Sequence, residues 1–406
     1  MGRVSEEVLL ARAFLSRVAT PASIGVWQIV RRDGPEAAVR ALRTGEWGRE
    51  RFPAEAARAE QADPYGDLEF AERHGIRIVV PESDEWPHFA FAALEATGRE
   101  RLARYRNGDT KQSDSGELVP PLALWVRGTL DLASVGVRSI AIVGARAATE
   151  YGEWVARDFA AKLAEHGFVV VSGGAHGIDA AAHRGALSAR GETVLVSAGG
   201  LDRPYPPANA GLYERVAESG LLLSESPPGS DPRRHRFLTR NRLIAALGTG
   251  TLVVEAAERS GAMNTAGHCV GLGRPLLAVP GPITSGASAG CHKLIRAEVN
   301  PAQLVGSVAD ILLAIGSASD LPAALPREPG SPRDALAGRL DALDPAARQV
   351  FDAFPSRRCV TADRLAVAAG LPVLTVIRIL PVLEMAGLVE SRADGYRVAR
   401  PGKAAG

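Results

Sequence analysis

Between residues 138 and 280 the chain alternates short β-rich runs with helix-length stretches, and this periodicity limits the fold more than any other feature. The runs are Ser139 to Val143, Phe168 to Val171, Thr193 to Ser197, Leu221 to Ser224, Thr251 to Val254 and Leu276 to Val279. Segments near 151–166, 177–189, 208–218, 238–247 and 262–272 are long enough to form the crossovers between them. Strand, helix, strand in this order specifies an α/β architecture, a Rossmann-like, doubly wound and mostly parallel sheet. Six strands make the simplest assembly.

The flanks read differently. Residues 1–75 carry helical patterning, with Val8, Leu9, Ala11, Phe14 and Leu15 on one face, then Val26, Ile29 and Val30 before a Gly34-Pro35 stop. A small helical module is expected there, of the SAM or helix-hairpin-helix kind. The Rossmann-like domain with its N-terminal extension spans 76–315, including one strand over Ile76 to Val80 and a polar insert over 106–117 that reads as an exposed loop. Residues 316–335 are rich in Pro, Ser and Ala without periodicity, as a linker is. Residues 336–406 then read as three helices and a hairpin closed at Asp394-Gly395, the pattern of a winged helix.

Composition removes several classes. The chain has 47 Lys plus Arg against 46 Asp plus Glu, so any polyanion site is a local patch rather than a global field. Only Lys111, Lys162, Lys293 and Lys403 are lysines; the remaining positive charge is Arg, which suits forked phosphate contacts and is also what a GC-rich coding bias produces. Three separated cysteines, Cys269, Cys291 and Cys359, assemble neither a disulfide framework nor a metal knuckle and fit a reducing cytoplasm. Early acidic residues interrupt any signal-peptide pattern, and no run of about 18 apolar residues occurs, so a soluble cytoplasmic protein without a membrane segment is expected.

Three segments carry candidate chemistry. Gly144 and Arg146 lie in Val143-Gly144-Ala145-Arg146, at the C-terminal end of the first sheet strand, where open α/β sheets bind ligands. Ser172, Gly173, Gly174 and Gly177 lie in the next strand-to-helix turn, whose free N–H groups favour phosphate, although such a turn also serves tight packing. Residues 231–242 hold five arginines around Phe237 and include Arg240, Asn241 and Arg242. Cations beside an aromatic ring suit single-stranded nucleic acid, since phosphates attract charge and unstacked bases need a flat face. The plainer alternative is a solvated charge run with Phe237 in the core.

Other patterns carry less. Gly286-Ala287-Ser288-Ala289-Gly290 has nucleophile-elbow spacing without the strand-turn-helix context and reads as a loop. His176 and His183, seven apart on one expected helix, lack a third ligand, and a structural His183 is the simpler reading; no metal site is expected. No P-loop and no complete GxGxxG opens the first helix, so neither ATP hydrolysis nor standard dinucleotide binding has its usual support. In the tail, the segment from Leu371 to Met385 has Arg378 as its one cation and is interrupted by Pro381, unlike a helix that reads duplex DNA.

Taken together the motifs resemble the bacterial DNA-processing protein A (DprA/Smf) family. The resemblance rests on Val-Gly-Ala-Arg-Ala-Ala-Thr-Glu-Tyr-Gly at 143–152, Ser-Gly-Gly-Ala-His-Gly-Ile-Asp-Ala-Ala-Ala-His at 172–183 and Gly-Gly-Leu-Asp-Arg-Pro-Tyr-Pro at 199–206. It continues through Ser-Glu-Ser-Pro-Pro-Gly at 224–229, Phe-Leu-Thr-Arg-Asn-Arg at 237–242, Glu-Arg-Ser-Gly-Ala-Met-Asn-Thr-Ala at 258–266 and Gly-Cys-His-Lys-Leu-Ile at 290–295. The helical N-terminal region and the winged-helix tail also look like family accessories. The resemblance implies a protein that binds single-stranded DNA entering during natural transformation, shields it and loads the RecA recombinase, with no enzymatic activity and no cofactor. It implies a DNA pocket at Arg146, at Ser172, Gly173 and Gly174, and at Arg240, Asn241 and Arg242, and a homodimer formed through the Rossmann-like domain. Leu238 stands where the family often has Pro. Two competing readings are a Rossmann-like nucleotide phosphoribohydrolase with Glu255 as its acid, and a transcriptional regulator acting through the winged helix.

Overall fold

The computed structural model describes residues 4–46, 52–106, 118–316, 339–340, 343–355, 358–392 and 394–399. The polar insert and the linker expected from the sequence fall almost wholly outside these. The chain divides into two compact units, Met1–Leu321 and Pro322–Gly406.

Five helices open the first unit: α1 (Glu6–Val18), α2 (Ile24–Asp33), α3 (Pro35–Thr44), α4 (Pro53–Ala59) and α5 (Pro64–Arg73). Their starts are local chemistry. Ser5, Ser23 and Asp63 each accept a backbone N–H of the first turn, and Pro35, Pro53 and Pro64 occupy first-turn positions where no N–H is needed. Phe14, Leu15, Val18, Val26, Ile29 and Val30 form their shared core. These helices are also joined to the sheet. Ala13 and Ala71 pack with Trp125, Leu195 and Leu222 in one apolar cluster, and Arg12 ties α1 to Glu82 at 2.6 Å and to Leu122 O at 3.0 Å.

The sheet follows as β1 (Arg77–Val79), α6 (His88–Arg106), β2 (Leu124–Gly128), β3 (Ser139–Val143), α7 (Glu150–Glu165), β4 (Val169–Gly173), α8 (Ile178–Ser188), β5 (Thr193–Ser197), α9 (Ala210–Ser219), β6 (Leu221–Ser224), α10 (Arg234–Leu247), β7 (Thr251–Val253), α11 (Gly261–Gly271), β8 (Leu276–Ala278), α12 (Ala289–Ile295), β9 (Gln303–Leu304) and α13 (Val308–Ile315). Its strand order is β1-β2-β6-β5-β4-β3-β7-β8-β9. The seven strands from β6 to β9 in that order are parallel, and β2 and β1 extend one edge antiparallel. The sheet is therefore larger than the six strands expected. β2 was not read because its apolar run has the length of either a strand or a buried helix turn, and β9 is only two residues long. β3, β4 and β5 are buried at every position, as strands covered on both faces must be.

Two details correct the sequence reading. His176 precedes α8 instead of sharing it with His183. His183 is fully buried, 2.7 Å from Thr193 Oγ1 and 3.0 Å from Gly173 O. Gly173 O can accept only from Nε2–H, while the one Thr193 hydroxyl proton lies between Nδ1 and Val170 O, each 2.7 Å from Oγ1. Arg242, expected at a DNA pocket, is buried completely within α10, where it donates to Glu225 at 2.7 Å; its Nε and one Nη lack acceptors.

The second unit contains α14 (Pro345–Asp352), α15 (Ala362–Ala369), α16 (Val373–Met385) and the antiparallel hairpin β10 (Val389–Arg392) with β11 (Gly395–Val398). Val350, Leu365, Val376, Leu380, Leu383 and Leu388 form its core. Three helices and a hairpin make it a winged helix. No single helix among the described residues is long and apolar enough to cross a membrane.

Two stability predictions follow from these buried groups. Replacing Glu225 by Ala leaves Arg242 buried without its counter-charge and costs about 3–5 kcal/mol in urea unfolding, whereas Glu225→Leu combined with Arg242→Met recovers most of the loss. Burial pushes His183 down to about 4 from 6.5. Because the folded value is the lower one, its stabilisation is present above pH 6.5 and is lost as pH falls through 4, about 3 kcal/mol in all. His183→Gln should flatten the unfolding midpoint between these pH values relative to the unsubstituted chain; an identical pH dependence would contradict the assignment.

Candidate nucleic-acid interface

From β3 the chain winds through β4, β5 and β6 on one side, then crosses back through α10 to β7 on the other side of β3. The loops leaving β3 and β7 therefore diverge, and a crevice opens at the C-terminal ends of the strands, where ligands of doubly wound sheets bind. A cleft of about 880 Å³ occupies this place. The loop 143–147 after β3, the first half of α10 and residues 257–262 after β7 supply most of its wall.

Gly177 fixes the loops against each other. Its φ is +73°, and a Cβ there would run into the carbonyl oxygens of Ala145 and Arg146, so the turn before α8 fits beneath the β3 loop only without a side chain. Ile178 N then donates to Ala145 O at 3.2 Å. On the far side Thr149 caps α7 and binds Glu255 through its N–H (2.9 Å) and its hydroxyl (2.6 Å). Glu255 is 2% exposed and does not line the cleft, so the carboxylate of the phosphoribohydrolase reading is engaged in holding this loop.

Inside the cleft, the Arg146 guanidinium lies over the Phe237 ring, 5.1 Å from its centroid, and Phe237 leans on Tyr205 at 5.4 Å. Arg146 is exposed, Phe237 half-buried and Tyr205 42% exposed, so a flat apolar surface with a cation above it faces solvent. Arg234 and Arg259 are exposed on the walls. The floor is buried and polar: Arg240 donates to Val196 O and, at 3.3 Å, to Asn241 Oδ1, while Asn241 Nδ2 donates to Asn264 Oδ1 at 3.0 Å. Burial pulls the Arg240 guanidinium below its ordinary value, with Asp179 and Tyr213 opposing this. Burial likewise raises the Asp179 carboxyl, against the pull of Arg240 and Arg146.

The residues proposed from sequence separate into two groups. Gly144, Arg146, Phe237, Arg240 and Asn241 line one cleft. Ser172, Gly173, Gly174, Gly177 and Arg242 do not. Ser172 is buried and donates to Ile142 O at 2.6 Å, tying β4 to β3. A Cβ on Gly173 would come within 2.6 Å of Asp179 Oδ2 and 2.8 Å of Arg240, so its role is to leave room for the floor. Residues not singled out as contacts are Asp179, Tyr205, Arg234 and Arg259, although each stands within or beside a motif already noted. The signal for Arg259 was available: an Arg-Ser-Gly turn that opens a helix after the strand beyond the switch point. Ser288 of the elbow-like sequence is buried and precedes α12. Among the described residues no group of three His, Cys, Asp or Glu could hold a metal ion. The cleft thus brings exposed arginines, a partly exposed aromatic pair and a buried guanidinium to one opening.

Comparison with known proteins agrees with this architecture. The family described as DNA recombination-mediator protein A matches residues 114–316, and that described as DprA winged helix domain matches residues 332–395. A Mycobacterium tuberculosis DNA processing protein DprA is 46% identical over 392 residues, covering 97% of this chain and 95% of its own length. Protein Smf of Escherichia coli is 35% identical over 283 residues, 68% of this chain and 71% of that one. The solved structure of DNA processing protein A from Streptococcus pneumoniae superposes with a TM-score of 0.59 at 27% identity, covering 77% of this chain and 99% of that chain. With a relative this similar over nearly its whole length, the chain belongs to the DprA/Smf family of DNA processing proteins.

Proposed function

We propose that the switch-point cleft binds single-stranded DNA and that the protein is a cytoplasmic recombination mediator, a homodimer that shields an incoming strand during transformation and hands it to RecA. The observation that carries the DNA reading is the Arg146–Phe237–Tyr205 stack above the buried Arg240. Phosphates gain from Arg146, Arg234 and Arg259 at the rim, while an unpaired base can lie on the aromatic faces. A duplex keeps its bases stacked inside and cannot use that surface, so preference for the single strand follows from the aromatic component. Contacts to phosphate and to ring faces carry little base information, so binding is broadly independent of sequence. The RecA and dimer assignments rest on family membership.

The test is fluorescence anisotropy of one labelled oligonucleotide, single-stranded and as duplex, over a salt series. The single strand should bind more tightly, with affinity falling as salt rises. Arg146→Ala should weaken binding alike for different sequences and lower the salt slope by about 0.7 for the lost phosphate contact. Phe237→Ala should cost about 1–3 kcal/mol of affinity while leaving that slope unchanged. Equal affinity for duplex, or unchanged binding in both variants, would overturn the reading; RecA filament formation on the bound strand then tests the mediator role.

A further inference from the structure

The first turn of α10 is basic on two sides, and only one of them faces the cleft. Arg234 lines the cleft, whereas Arg236 is two residues on, about 200° around the helix, and does not line it. The Arg236 guanidinium instead lies close enough to Arg17 of α1 and Arg58 of α4 to feel their charge. Arg17 of α1 donates to Pro228 O at 2.7 Å, in the loop that feeds α10, and is paired with Asp67. Arg58 of α4 donates to Val18 O at 2.6 Å and to Glu55 at 3.0 Å. The end of α1, α4 and the start of α10 thus form one corner holding Arg17, Arg58, Arg233 and Arg236.

The carboxylates of that corner are engaged. Asp67 is taken by Arg17, Glu55 by Arg58 and Asp231 by Arg203. Arg233 is exposed and has no ion pair among the described residues; Arg236 donates only to Asp231 O, at 3.2 Å, and its buried Nε has no acceptor. Burial and the neighbouring Arg233, Arg58 and Arg17 hold the Arg236 guanidinium below its ordinary value, against the pull of Asp231. The 14-residue α10 also starts without a side-chain cap, since its N-cap is Arg233; the Arg236 N–H donates to Arg233 O at 2.9 Å, whereas the N–H groups of Arg234 and His235 have no acceptor among the described residues. Excess cations, an orphaned donor and an uncapped helix start converge on a place that an anion would stabilise.

We propose that this corner is a second phosphate site, outside the cleft, in which Arg233, Arg236 and the first-turn amides of α10, backed by Arg17 and Arg58, hold the backbone of a single strand leaving the cleft past Arg234. The proposal rests on the cleft binding single-stranded DNA. It makes the N-terminal helices one wall of the DNA path, and it makes affinity depend on strand length: a strand confined to the cleft does not reach the corner, a longer one does.

The experiment compares oligothymidine of about 6 and about 20 nucleotides on the full chain, using Arg233→Ala/Arg236→Ala, the single exposed substitution Arg233→Ala, and Arg146→Ala as the cleft control. The double variant should bind the short strand as the unsubstituted chain does, bind the long one at least about fivefold more weakly, and lose about 1.4 from the long-strand salt slope for two phosphates. Arg233→Ala alone should show about half that slope change, and it keeps the test valid if the double variant unfolds. Unchanged long-strand affinity and slope in these variants, with Arg146→Ala still weakened, overturns the second site and leaves the cleft standing. Failure of the unsubstituted chain to bind either strand overturns both.

Discussion

Helix α10 carries the chain back across the sheet from β6 to β7, and the cleft depends on that single crossover. Because β4, β5 and β6 lie on one side of β3 and β7 on the other, the helix starts at the C-terminal edge of the strands and runs back over the sheet face across β5, β4 and β3. Thr239 to Leu247 are buried, and Arg234 and His235 at its start are exposed. Its arginines are divided accordingly: Arg242 is sealed into the interior with Glu225, Arg240 forms the floor of the cleft, and Arg234 reaches its rim. A chain without this reversal would have neither the crevice nor the helix that furnishes it.

The same placement explains how a chain of net charge +1 gathers several arginines around one cleft. Charge buried at the floor acts through a less polarisable medium than charge on the surface, so Arg240 contributes more field per charge than a solvated arginine does. Its hydrogen bonds to Val196 O and Asn241 hold it in place before any ligand arrives, and Asp179 limits the cost of keeping it charged. The exposed arginines at the rim are screened by salt over about 10 Å. On the proposed reading rim and floor divide the work: the rim attracts a backbone from solution, and the floor holds what has entered.

Much of this was legible in the sequence because strand and helix periods alternate cleanly from 138 to 280 and because Gly-rich turns mark strand ends. Gly144 and Arg146 are legible on that basis, and Phe237, Arg240 and Asn241 from the arginine-rich stripe around an aromatic; all five line one cleft. The remainder was hidden for physical reasons. A helix buried on its core side and lined with cations on its cleft side has no simple amphipathic stripe, so sequence could not distinguish Arg240 from Arg242. Ser172, Gly173 and Gly174 resemble a phosphate turn but pack β4 against its neighbours, a distinction made by Ile142 O and Asp179 across the fold. The N-terminal helices read as a free-standing module because the contacts joining Ala13 and Ala71 to Trp125 are long-range.

The central claim is that an unpaired base lies against Phe237 and Tyr205 at the switch point. Photocrosslinking an oligonucleotide with a halogenated uracil at one position, followed by mass-spectrometric mapping of the attached residue, tests it most directly. The account predicts adducts on Phe237 or Tyr205 that unlabelled single strand competes away and duplex does not. Adducts confined to the winged-helix unit, or unaffected by single-stranded competitor, would contradict it.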